Sequence, residues 1–146
     1  GYNYRLTNIQ AAMGVAQMEQ LPGFVDDKRR IAKGYEEAFR ELESLTLMGN
    51  SPDAEPTNWL FTVLLHPNTT LEARKEMVRR LNESGIGSRP VWHPLDGLPP
   101  FSECQSFQVE HSYDIYRRGV SLPCSTGLTD EQQQRTIDTF VNLVME

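Results

Sequence analysis

The run that most narrows the possible folds is Ile9-Gln10-Ala11-Ala12-Met13-Gly14-Val15-Ala16-Gln17-Met18, because it is apolar on two sides. At helical spacing Ile9, Ala12, Met13 and Ala16 make one stripe, and Ala11, Val15 and Met18 make another. Thr7-Asn8-Ile9-Gln10 just ahead of it has the pattern of a capping box, in which the Thr7 hydroxyl and the Gln10 side chain each satisfy a backbone N–H of the first turn. A helix apolar most of the way round is normally buried between other elements, and its small residues let backbones approach closely. Almost nothing precedes this one. The sequence therefore predicts that a packing partner lies outside the chain or on a second subunit.

Pro22-Gly23 reads as a break, followed by a second helix to about Leu45 with Val25, Ile31, Ala32, Tyr35, Ala38, Phe39 and Leu42 on one face. The polar stretch from Asn50 to Asn58 is a loop, and Trp59 to Leu65 reads as a central strand. Thr69-Thr70-Leu71-Glu72 offers another capping box, opening a helix that stops at Gly85-Ile86-Gly87. Ser88 to Trp92 is a short strand that Pro90 confines to an edge or an end, and the proline-rich run from His93 to Phe101 is a long shaped loop. A helix from Glu110 to Arg118, a strand from Val120 to Leu122 and a helix capped by Thr129 complete the chain. This order implies an α+β fold, a short β-sheet covered by helices.

A length of 146 residues suits one ordinary domain with a sizeable core. The formal net charge of -6 argues against a nucleic-acid or anionic-membrane surface, so an anionic ligand would need a local pocket. No apolar run approaches the roughly 20 residues of a membrane span. The two cysteines, Cys104 and Cys124, form no short pairing motif, which speaks against a disulfide framework or a zinc site and fits a reducing cytoplasm. His66 and His111 lack i,i+4 partners, and no metal site is expected.

Two places could carry chemistry. Asn3 and Arg5 are two positions apart in an extended segment, point the same way, and precede a helix N-terminus that carries partial positive charge. Together they could hold a phosphate, although the physics of a chain end favours a solvated polar terminus. In Arg89-Pro90-Val91-Trp92-His93-Pro94-Leu95 a strand end feeds a stiff loop: Arg89 could meet an anion, Trp92 could stack on a sugar or base, and His93 could donate a hydrogen bond. The alternative, with Trp92 in the core and Arg89 solvated, stays equally open. Lys28, Lys33 and Lys75 lie in charged helical stretches where they remain protonated and solvated, a poor setting for a Schiff base. Cys124 reads as a buried structural thiol, with a cysteine-dependent enzyme as the competing view.

The run Gly1-Tyr2-Asn3-Tyr4-Arg5-Leu6-Thr7-Asn8-Ile9-Gln10-Ala11-Ala12-Met13-Gly14 resembles the sugar aminotransferases of the DegT/StrS group. The likeness continues through Asn58-Trp59-Leu60-Phe61, through Gly85 to Leu95, and through Arg118 to Thr129. It implies the small C-terminal domain (22–146) of a fold type I, pyridoxal-phosphate-dependent transferase, preceded by a helix of the large domain (1–21). It also implies a homodimer with shared active sites, in which a lysine upstream of Gly1 holds the cofactor as a Schiff base and this chain contributes no catalytic residue. By the same resemblance Asn3 reaches the cofactor phosphate of the neighbouring subunit with Arg5 beside it, and the loop carrying Arg89, Trp92 and His93 lines the nucleotide-sugar side. The expected reaction moves an amino group from glutamate to a keto sugar nucleotide. A sugar dehydratase of the same group and a non-catalytic α+β module are the alternatives. The group often has Met-His where this chain has Leu95-Asp96.

Overall fold

A computed structural model of the chain describes residue 2 and residues 4–146. The capping box at Thr7 forms as its sequence demands: the Gln10 N–H donates to Thr7 Oγ1 at 3.3 Å, and Gln10 Oε1 accepts from the Thr7 N–H at 2.9 Å. The helix it opens, α1, runs without interruption from Asn8 to Phe39. The break expected at Pro22-Gly23 does not occur. Proline at this position removes one N–H donor from the ladder, but the turn it faces is exposed, so water can replace the missing donor to the Met18 carbonyl.

The two halves of α1 lie in different surroundings. From Phe24 on it turns one face inward, burying Ile31, Ala32, Tyr35 and Phe39. Before that point it is exposed, with Ile9 at 76%, Met13 at 66% and Met18 at 65% of their full accessibility. The burial that the amino acids ask for is not supplied by the described residues.

Four antiparallel strands follow: β1 (Thr46–Leu47), β2 (Phe61–Leu64), β3 (Arg89–Pro90) and β4 (Gly119–Leu122), in the order β1-β2-β4-β3. β2 is central as expected, though shorter than the apolar run, because Asn58 has φ 51° and Trp59 and Leu60 stay in the incoming loop. β3 is an edge strand, which its proline requires. β1, only two residues long, was not legible as a strand.

Helix α2 (Leu71–Glu83) is capped by Thr70, whose hydroxyl accepts from Ala73 N–H at 3.1 Å. The cap sits one residue later than the sequence pattern suggested, and Glu72 pairs with Lys75 instead of reaching back. The helix ends in a Schellman turn: Ile86 N–H donates to Leu81 O and Gly85 N–H to Asn82 O, both at 2.9 Å, with Gly85 at φ 77°, where a side chain would be strained. Helices α3 (Glu110–Arg118) and α4 (Asp130–Met145) match their expected spans, and the Thr129 capping box of α4 is present. The proline-rich loop contains two 3₁₀ turns, Leu95–Gly97 and Pro99–Phe101.

The core forms where α1, α2 and α4 cover one face of the sheet. Phe61, Val63, Val120 and Leu122 point into it, and Tyr35, Phe39, Phe61 and Phe140 meet ring to ring at centroid separations of 4.9 to 6.5 Å. Alternate residues of the inner strands point to the opposite face, where Thr62 and Ser121 join their hydroxyls at 2.9 Å. Arg89 stands directly opposite Ser121 in the register and therefore on the same face.

Candidate functional site

Arg89, Trp92 and His93 leave the sheet edge together but engage different neighbours. Arg89 is exposed and, among the described residues, makes no hydrogen bond or ion pair. It lines a cavity of about 580 Å³ together with Lys28, Trp59, Cys124, Gln132 and Arg135, closed on one side by the Gly85–Gly87 turn. Trp92 is not a core residue. It is 68% exposed and stacks on Trp59, itself 66% exposed, at 5.9 Å and 22° between ring planes. Two exposed indoles in contact form a flat apolar platform beside the cavity that Trp59 lines.

His93 turns the other way. Its Nδ1 lies 2.8 Å from the Pro94 carbonyl, which can only accept, so Nδ1 carries the proton of this hydrogen bond. The ring packs against Tyr116 at 4.6 Å and edge-on to Tyr113 at 6.2 Å. Tyr116 in turn lies 5.0 Å from the guanidinium carbon of Arg74, which is 3% exposed and donates to the Tyr116 carbonyl at 3.2 Å. Nearby, Asp96 accepts from the Tyr113 hydroxyl at 3.2 Å. Desolvation first, and then this carboxylate, hold the Tyr113 phenol above its ordinary range. Asp96 thus has a local partner in the loop that follows His93.

Asn3 lies outside the described residues. Arg5 is described, is exposed ahead of α1, and is not among the residues lining the Arg89 cavity. The α1 N-terminus behind it keeps two unfilled donors: Gln10 N–H goes to Thr7 Oγ1 and Ala11 N–H to Thr7 O, which leaves the N–H groups of Asn8 and Ile9. Helix-end donors of this kind are chemically suited to a phosphate.

Lys28 corrects the sequence reading. It is half-buried, not solvated, and its ammonium donates to the Trp59 carbonyl at 2.9 Å and to the Cys124 carbonyl, tying the two loops across the cavity. The signal was available: Lys28, Ile31, Ala32, Tyr35 and Phe39 share one helical face, so a cation sits at the end of a core stripe. Its Nζ is also 3.7 Å from Cys124 Sγ, a proximity that sequence spacing does not reveal. Cys124 itself is 6% exposed, with Sγ 3.2 Å from the Trp59 carbonyl. Lys33 and Lys75 are ion-paired with Glu37 and Glu72 at the surface. None of the three lysines is a free amine in a pocket. Sequence reasoning missed Trp59 as a site residue, because its apolar neighbours drew it into a strand, and missed Arg135 because nothing local marks it.

A profile of the DegT/DnrJ/EryC1/StrS aminotransferase family matches residues 1–141. The chain belongs to this family. Among relatives of this DegT/DnrJ/EryC1/StrS member, GDP-perosamine synthase of Escherichia coli O157:H7 is 37% identical over 133 residues, covering 90% of the chain and 35% of that protein. GDP-perosamine synthase of Vibrio cholerae is 31% identical over 144 residues, covering 97% and 38%. The chain therefore spans well under half the length of these relatives. Among solved structures, Helicobacter pylori PseC, an aminotransferase involved in pseudoaminic acid biosynthesis, superimposes with a TM-score of 0.88 at 22% identity, over 99% of this chain and 39% of that one. At that identity the likeness speaks for a shared fold, and it supports the α+β arrangement expected for a C-terminal portion of such proteins. No helix among the described residues is long and apolar enough to cross a membrane.

Proposed function

We propose that these residues form the C-terminal portion of a pyridoxal-phosphate-dependent sugar-nucleotide aminotransferase that takes its amino group from an amino acid such as glutamate. The observation that carries this reading is the family match across residues 1–141, against relatives that are more than twice as long. The bound cofactor would supply the electron sink that lets an amino group move between carbon skeletons. Lys28, Lys33 and Lys75 are all engaged in hydrogen bonds or ion pairs, which supports a cofactor-anchoring lysine outside residues 1–146.

The residues of this chain position and bind. Asn3 and Arg5, with the donors of the α1 N-terminus, hold the cofactor phosphate of a neighbouring subunit in a homodimer. Residues 1–21 belong with the large domain, which the exposed apolar surface of the first half of α1 supports. Residues 22–146 form the small domain, whose open sheet face and Trp59–Trp92 platform meet the nucleotide sugar. Arg89 neutralises an anionic group of that substrate, and His93, fixed by Pro94 and Tyr116, hydrogen-bonds a sugar hydroxyl through its other ring nitrogen.

The test has two parts. The isolated chain incubated with pyridoxal phosphate and borohydride should show no adduct on Lys28, Lys33 or Lys75; stoichiometric trapping on any of them contradicts the reading. The longer protein supplied with a 4-keto sugar nucleotide and glutamate should release 2-oxoglutarate. Arg5→Gln in that protein should weaken cofactor retention by about tenfold, the loss expected for one charge-assisted phosphate contact.

A further inference from the structure

Two nucleophilic side chains meet in this fold without serving the proposed function. Cys124 follows β4 and Lys28 lies on α1, 96 positions apart in the sequence. The Lys28 ammonium directs its three donors at the Trp59 carbonyl, at the Cys124 carbonyl and at Cys124 Sγ, the last at 3.7 Å. The thiol in turn donates to the Trp59 carbonyl at 3.2 Å, so nitrogen and sulfur are held together around one acceptor.

Both ends of the contact are fixed. Lys28 sits one turn before the buried Ile31 and Ala32 of α1. The loop that carries Cys124 is pinned by the Tyr35 hydroxyl on the Pro123 carbonyl at 2.8 Å, and further on by Arg30, which donates to the Leu128 carbonyl at 2.9 Å. Groups fixed in this way react without the entropy cost of an encounter. Although the chain has 20 acidic side chains, Lys28 makes no ion pair among the described residues, and no Asp or Glu lines the cavity beside it. That cavity reaches both side chains, so a small solute has access to Cys124 even though the residue is only 6% exposed. The other cysteine is badly placed to resolve an oxidised sulfur there: Cys104 is exposed and lines a different pocket with Phe101 and Phe107. The nitrogen of Lys28 is already in contact.

We propose that Lys28 and Cys124 form an oxidative modification site, at which a peroxide joins the two side chains through a reversible sulfur–nitrogen bond. In the first step the thiol takes one oxygen from hydrogen peroxide: the O–O bond breaks, sulfur is oxidised to a sulfenic acid and the peroxide is reduced to water. In the second, Lys28 releases one proton to solvent and its amine attacks the sulfur. The S–N bond forms, the S–O bond breaks, and the hydroxyl leaves as water with a second proton from the nitrogen. Two equivalents of a small thiol reverse the link: they become a disulfide, and their two protons regenerate the amine and the Cys124 thiol. The bond ties α1 to the loop ahead of α4 and removes a positive charge beside Trp59. It rests on the contact alone, so loss of the proposed transaminase reading would leave it standing.

The experiment treats the longer protein with hydrogen peroxide, digests it without reduction and maps the peptides by mass spectrometry. The expected product is a peptide pair joining the segments of Lys28 and Cys124, lighter by two hydrogen atoms than the free peptides together, uncut by trypsin after Lys28 and released by dithiothreitol. The pair should persist in Cys104→Ser and be absent from Cys124→Ser and from Lys28→Arg, which keeps the charge and offers no amine. Unfolding in urea before oxidation should abolish it, because the contact is then lost. The map of the unaltered protein decides the question even where a variant fails to fold. Cys124 left as a thiol under conditions that oxidise the exposed Cys104 overturns the proposal. So does oxidation of Cys124 to a sulfinic acid with Lys28 free, or a loss of two hydrogen atoms confined to the Cys124 peptide, which marks ring closure on a backbone nitrogen.

Discussion

Tyr35 shows how much one buried polar group can decide. Its ring is fully enclosed by Phe39 and Phe61, and its hydroxyl donates to the Pro123 carbonyl at 2.8 Å, fixing the loop that carries Cys124. Burial above all, with Cys124 adding and Thr136 opposing, pushes the phenol up to about 12. The folded pKa lies above the unfolded value near 10, so the fold favours the protonated phenol. That contribution is complete below about pH 10 and is lost as pH rises through about 12, a fall on the order of 2 to 3 kcal/mol. Urea unfolding at successive pH values should show the midpoint dropping across this window. Tyr35→Phe should remove the extra drop while costing about 1 kcal/mol at neutral pH for the lost hydrogen bond. Equal slopes in both proteins would contradict the assignment. Gly119 is constrained by contact and not by its dihedral, since φ is -80°. A methyl there would lie 2.5 Å from Val91 Cγ2 and 2.6 Å from the Ile115 carbonyl, which already accepts the Gly119 N–H and cannot retreat. Gly119→Ala should cost about 1 to 3 kcal/mol in urea unfolding. By displacing Val91 it should also shift the fluorescence of the adjoining Trp59–Trp92 pair.

At the scale of elements, α1 is one helix in two environments. Its second half is anchored by the core stripe, while the first half, among the described residues, is held by its capping box and its own ladder, interrupted by Pro22. An isolated helical stretch of this length is marginal in water. Amide exchange in the isolated chain should therefore be slow around Ile31 to Phe39 and fast from Ile9 to Leu21. Pro22→Ala should slow the latter, as it restores a donor and removes a penalty of up to about 3 kcal/mol. Uniform protection along α1 would show that the first half is held by something else. These elements also mark what could be read in advance. The capping boxes at Thr7 and Thr129, the glycine stop after α2 and the edge placement of Pro90 follow from local chemistry, and each stands where the residues put it. Pro22 misled because the cost of a helical proline depends on whether water reaches the orphaned carbonyl, which is a tertiary fact. Trp59 and Lys28 misled for a related reason: a strand-like apolar run and a charged helical stretch are average environments, and both residues meet at a loop crossing near Cys124. The arginine pair of the cavity joins residues 46 positions apart, beyond any local pattern.

At the scale of the molecule, the exposed apolar surface of α1 and the length of the relatives bear on one question. The core beneath the sheet is closed, yet the first half of α1 exposes Ile9, Met13, Val15 and Met18, and the chain covers only 35% to 38% of the perosamine synthases it resembles. If that surface belongs to a domain or subunit interface, charges placed on it act differently in the two contexts. The double variant Met13→Asp and Val15→Asp should change the unfolding free energy of the isolated chain by no more than about 0.5 kcal/mol, since both side chains already face water. It should also reduce any self-association seen by sedimentation, because the exposed stripe is what would drive it. In the longer protein the same two charges would have to be desolvated without partners. A loss of at least about 3 kcal/mol, or dissociation of the proposed dimer, is then expected. Thermal melts and sedimentation of both proteins, side by side, separate the possibilities. If the longer protein tolerates the charges as well as the isolated chain does, the first half of α1 faces solvent there too, and the assignment of residues 1–21 to an interface fails.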